Sequence, residues 1–83
     1  GVNYLPKTKL PPKGNKMTLS DFIRQERKKY KLTQRDLADR SGVGLRFIRE
    51  LERGKATLRM DKVNVVLDLF GAKLGVVKLQ DEE

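Results

Sequence analysis

The stretch Gly44–Gly54, GLRFIRELERG, sets three arginines among four large apolar residues. At about 100° per residue on a helix, Phe47, Ile48 and Leu51 share one side, and Arg46, Arg49 and Arg53 form a stripe on the other. Arg49 and Arg53 stand four residues apart, where like charges repel by a few tenths of a kcal/mol unless an anion compensates. The stripe therefore asks for an anion. The plainer reading is a solvated charged face, and Glu50, one turn after Arg46, favours it by offering internal neutralisation.

Working outward, a second helix precedes this one. It opens at Thr33, which forms a capping-box-like pair with Asp36, buries Leu37 beside the small Ala38, and ends near Gly42, a residue suited to a left-handed turn. Two helices joined by a tight glycine turn, the second bearing an arginine stripe opposite its apolar face, describe a helix-turn-helix that places its second helix in the DNA major groove. A first helix starts at Thr18, with Asp21 at its third position, and runs to about Lys31 with Leu19, Phe22, Ile23 and Tyr30 on one face. A fourth spans roughly Leu58 to Phe70, with Val63, Val66, Leu67 and Phe70 inward and Gly71 just past its end.

Ala72–Leu79, AKLGVVKL, is short and rich in Val and Leu and reads as a β-strand. It has no second strand in this chain. Its simplest solution is pairing with the same strand of another copy about a two-fold axis, through Leu74, Val76, Val77 and Leu79. A frayed tail, or a strand held by a different protein, is the other reading. The fold class expected is mainly α: four to five helices, then one strand pairing across a dimer.

Two charges break the apolar pattern. Arg27 falls on the apolar face of the first helix, four residues after Ile23, and Glu52 lies towards the apolar side of the third, so each is costly if buried alone. Pairing them with each other would fix the third helix on the first; otherwise both long side chains reach out to solvent.

Composition narrows the function. The chain has 83 residues, a formal charge of +8 from 19 Lys+Arg against 11 Asp+Glu, and neither cysteine nor histidine. A core of this size is marginal without a partner. The missing residue types remove disulfides, thiolate zinc sites and the commonest nucleophile–base pairs, so no catalytic residue, metal site or cofactor is expected and an enzyme is disfavoured. The positive charge points to a polyanion. Residues 1–17 hold Lys7, Lys9, Lys13 and Lys16 and no acid, together half of the net charge, and all three prolines fall there. They read as an extended basic arm; equally, Met17 is a natural start and the residues before it are extraneous. Residues 18–71 form the DNA-binding domain, 72–79 the dimerisation strand and 80–83 an acidic tail. No apolar run approaches the ~20 residues of a membrane span, which favours a soluble, cytoplasmic protein that reaches the nucleoid through DNA.

Over Leu32–Lys55, LTQRDLADRSGVGLRFIRELERGK, the sequence resembles the Cro/repressor (Xre-type) helix-turn-helix family, with Thr33, Gln34, Leu37, Ala38, Gly42, Val43, Ile48, Glu52, Gly54 and Lys55 in register. Gly44 departs from the serine or threonine often found there, which removes a hydroxyl that could cap the third helix. The resemblance implies a lambda-repressor-like bundle in which Gly44, Leu45, Arg46, Arg49 and Glu50 face base edges. Arg46 is then the best placed for bidentate contact to guanine, and Leu45 for a thymine methyl. It also implies that Thr33, Gln34 and Arg35 hold the DNA backbone together with Arg53 and Lys55, and that Arg27 and Glu52 are the family's internal ion pair. Beyond Lys55, TLRMDKVNVVLDLFGAKLGVVKL is similar to the C-terminal part of HipB-type antitoxins. That similarity implies a homodimer bound to a palindromic operator that represses its own operon and binds a HipA-type kinase toxin. A stand-alone Xre-type regulator without a toxin, or a bridging-factor-like coactivator using the unit for protein contacts, remain as alternatives.

Overall fold

A computed structural model of the chain describes residues 17–79, so the basic arm before Met17 and the acidic tail after Leu79 lie outside the described residues. Among the described residues there are four helices and no strand: α1 (Leu19–Lys29), α2 (Gln34–Ser41), α3 (Leu45–Arg53) and α4 (Met60–Asp68). None of the helices there is long and apolar enough to cross a membrane. The third packs on the first two, and α4 closes the bundle against α2. Ile23, Leu37, Ala38, Ile48, Leu51, Val63, Val66 and Leu67 form the core, one or more from every helix.

The starts of α1 and α2 are built alike. Thr18 Oγ1 accepts from the Asp21 N–H at 3.1 Å while the Asp21 carboxylate accepts from the Thr18 N–H at 3.3 Å, and Thr33 and Asp36 repeat the exchange at 3.0 and 2.9 Å. Each box satisfies a backbone donor that the helix cannot, and sets a negative charge where the helix dipole is positive. The ends differ. α2 and α3 stop at Gly42 and Gly54, whose φ of +82° and +87° would strain any other residue, whereas α1 stops without glycine: Lys31 takes φ +59° and Leu32 N–H reaches back to the Arg27 carbonyl at 3.0 Å.

The capping carboxylates give a pH signature. The Thr18 hydroxyl, then its N–H, hold the Asp21 carboxyl below the ordinary value, and for Asp36 the Thr33 N–H acts first and its hydroxyl second. A carboxyl with a lowered folded pKa contributes stability that is complete above its unfolded pKa, about 3.9, and is lost as pH falls through the folded value. The urea midpoint of the protein is therefore expected to exceed that of an Asp21→Asn/Asp36→Asn variant by a constant margin at neutral pH, and the margin to shrink below about pH 4. A margin undiminished at about pH 2.5 would sink this assignment.

Two expectations need correction. Tyr30 is not part of the apolar face of α1 but stands past its end, 57% exposed and stacked on Phe70 with ring centroids 6.0 Å apart. Helix α4 is shorter at both ends than Leu58–Phe70: Arg59 precedes it with no side-chain cap, and Phe70 N–H bonds to Leu67 O at 2.8 Å in a tighter three-residue step. The described residues hold four helices, within the four to five expected. Within a single copy the described residues show no strand over Ala72–Leu79. A strand is defined by its ladder, and a single copy supplies nothing for this segment to pair with.

Candidate nucleic-acid interface

Helix α2, the turn Gly42–Gly44 and α3 together make the surface on which most of the expected site residues lie. Ile48, Leu51 and Glu52 of α3 are buried, Leu45 and Phe47 half-buried, and Arg46, Arg49 and Arg53 exposed, so packing turns the arginine stripe outward. Helix α3 begins at Leu45 even though its N-cap, Gly44, offers no side-chain hydrogen bond. Packing of Ile48 and Leu51 carries the helix start that a capping hydroxyl would otherwise secure.

Beneath the stripe lies a polar hub centred on Glu52, which is 4% exposed. Its Oε2 accepts from Arg27 Nε at 2.6 Å, and its Oε1 accepts from Arg27 Nη2 at 3.0 Å and from Gln34 Nε2 at 3.1 Å. Arg27 Nη1 donates to the Leu32 carbonyl at 2.8 Å, and Arg24 Nη1 donates to the Glu52 carbonyl. The hub ties α1, α2 and α3 to one another. It also fixes Gln34: one amide proton goes to Glu52, and the second remains for an outside acceptor.

Around the hub the surface is strongly basic. A cleft of about 530 Å³ at the start of α2 has Arg27, Lys31, Arg35 and Arg49 among its walls, and a second of about 370 Å³ is bordered by Arg24, Gln34, Arg49, Glu52 and Arg53. Arg49 and Gln34 belong to both. Among the described residues no ion pair involves Arg35, Arg49 or Arg53, so their charges face solvent unneutralised. Thr33 is exposed, but its hydroxyl oxygen already accepts the Asp36 N–H. The Arg46 side chain is 90% exposed, with Nε 3.4 Å from Glu50 Oε2. Lys55, just past α3, lies 3.5 Å from the other oxygen of Glu50.

The residues expected in the dimer strand lie away from this surface. Leu74 is half-buried and its N–H is held by Asn64 Oδ1 of α4 at 2.8 Å, while Val76, Val77 and Leu79 are 100%, 83% and 96% exposed. Sequence reading passed over three residues that matter here. Arg24 borders the second cleft and could have been suspected from its i,i+3 relation to Asp21, with which it pairs at 2.6 Å. Lys31 carries no signal of its left-handed conformation, and Asn64 none of its hold on the tail.

Comparison with known proteins places this geometry. The family described as Helix-turn-helix matches residues 23–77, which takes in the hub, both clefts and the stripe. The chain is also 44% identical over 56 residues to the uncharacterized HTH-type transcriptional regulator y4mF of Sinorhizobium fredii, an overlap that covers 68% of this chain and 74% of that one.

Proposed function

Because the chain belongs to the helix-turn-helix family, a class of DNA-binding transcription regulators, we propose that it is a sequence-specific repressor that reads DNA with α3. The observation that carries this is the exposed Arg46–Arg49–Arg53 stripe on a helix locked from beneath by the Glu52 hub. In this reading Gly44, Leu45, Arg46 and Arg49 face the base edges, with Arg46 bidentate on a guanine, while the Glu50 carboxylate is taken up by Arg46 and Lys55. Thr33, Gln34, Arg35, Arg53 and Lys55 hold phosphates, fixing register without carrying sequence information. Gln34 does so with the amide proton that Glu52 leaves free.

The repressor acts as a homodimer, two copies of α3 entering successive major grooves about 34 Å apart on a palindromic site. Exposure of Val76, Val77 and Leu79 supports pairing through 72–79, since isolated valines and a leucine at the end of a small domain gain by burial against their symmetry mates. Val76→Lys is expected to convert the dimer to monomer in sedimentation; an unchanged mass would exclude that interface. The further role of antitoxin rests on the similarity of residues 57–79 to HipB-type proteins, and co-purification of a kinase toxin encoded beside this chain would test it.

The experiment that tests the core reading is binding to the DNA upstream of the coding sequence, set against random duplex at the same ionic strength. A preference of ~10³ or more is the expected result. Equal, steeply salt-dependent binding to both would reduce the stripe to a basic surface.

A further inference from the structure

Helix α3 and the residue pair that follows it present four exposed cations, Arg46, Arg49, Arg53 and Lys55, and a single acid that is not part of the buried hub, Glu50. Its carboxylate is already engaged on both oxygens. Oε2 lies 3.4 Å from Arg46 Nε and Oε1 3.5 Å from Lys55 Nζ, and the side chain is only 25% exposed beneath these two cations. The backbone brings Lys55 close to Glu50: the left-handed turn at Gly54 folds the chain back so that Lys55 N–H donates to the Glu50 carbonyl at 3.1 Å. Arg49 and Arg53, by contrast, have no ion pair among the described residues.

We propose, resting on the DNA-reading function above, that Glu50 sets the sequence discrimination of this surface by acting through Arg46 and Lys55 and not by touching a base. Two effects follow from the geometry. The contact to Nε steadies the Arg46 guanidinium from one edge and leaves its two terminal amino groups without partners among the described residues, and those are the donors a guanine O6/N7 pair requires. At the same time the fixed negative charge offsets cations that would otherwise attract any phosphate, and this lowers affinity for every duplex alike. Only a site that gives Arg46 its guanine recovers the loss. Glu50 is thus a repulsive element aimed at wrong sequences, with a positioning role towards the right one.

The test compares the full chain with its Glu50→Gln variant, which keeps size and helix propensity, on the best site recovered from a random duplex pool and on random duplex, across a salt series. Random-duplex affinity is expected to rise about 3–10-fold, with log K falling more steeply against log salt by about 0.9 for each protomer on the DNA. Affinity for the selected site is expected to change less than about twofold, so discrimination narrows. Glu50→Ala should reproduce the result. In an Arg46→Ala background the same change should no longer narrow discrimination, a dependence that a purely structural role would not produce. Two outcomes overturn the proposal: loss of a cytosine preference at one position with random-duplex affinity unchanged, which would make Glu50 a direct reader, and unchanged affinities and salt slopes throughout. If the wild-type chain recovers no preferred site at all, the DNA-reading function fails first and this proposal falls with it.

Discussion

Glu52→Ala is expected to cost about 3–5 kcal/mol of folding stability, because it leaves the largely covered Arg27 guanidinium, 13% exposed, without its counter-charge. The arithmetic of the site explains the size. Removing Glu52 strips Arg27 Nε, Arg27 Nη2 and Gln34 Nε2 of their acceptor together. A domain of this size holds only about 0.05–0.15 kcal/mol per residue in total, so the loss approaches the whole. In thermal unfolding it should lower Tm on the order of 20 °C, or abolish the transition at ordinary temperature. Arg27→Ala should be comparably severe, since it also releases the Leu32 carbonyl that anchors the loop before α2. The discriminating variant is Arg27→Met/Glu52→Leu: two apolar side chains that remove both charges should recover much of what either single change loses. If single and double variants were equally unstable, packing and not charge would be the cause; if Glu52→Ala cost under about 1 kcal/mol, the hub would be no more than a surface ion pair.

That hub was accessible to sequence reasoning for a simple reason. A charge on the apolar face of an amphipathic helix must find a partner or stay wet, and here two such charges of opposite sign occur on two helices, Arg27 and Glu52. The capping boxes were accessible on a shorter scale, since Thr18 with Asp21 and Thr33 with Asp36 need only residues three apart. What could not be read depends on groups with no side-chain signature. Arg24 reaches the backbone carbonyl of Glu52, twenty-eight positions away, and any residue there would have offered the same oxygen. Lys31, just past α1, takes a conformation usually marked by glycine, and without that mark the sequence pattern carries the helix on to Lys31 and puts Tyr30 on its apolar face. The segment 72–79 illustrates a different limit: β propensity states what a segment can do, and a strand there would need a ladder that a single copy does not supply.

Arg46→Ala should separate recognition from attraction. Its side chain is 90% exposed and makes only the loose contact to Glu50, so truncation should leave stability within about 0.5 kcal/mol and preserve the helical spectrum. Any large effect is then an effect on DNA. Loss of a bidentate guanine contact is worth about 1–3 kcal/mol at the correct base pair, roughly 5- to 150-fold in affinity, and should relax preference at that one position in each half-site. Because a two-fold dimer presents Arg46 twice, the loss at a palindromic site counts twice, and the measured drop can reach the square of the single-site factor. Random-duplex affinity should fall far less. Lys55→Ala supplies the contrast: loss of a phosphate contact weakens binding to all sequences alike and makes the salt slope shallower by about 1 for each protomer. If both variants lost affinity equally on selected and random duplex, the stripe would be an undifferentiated cationic surface and α3 would not be the reading element. If instead Arg46→Ala collapsed the preference while Lys55→Ala left it intact, base reading and backbone holding would be assigned to separate side chains only nine positions apart.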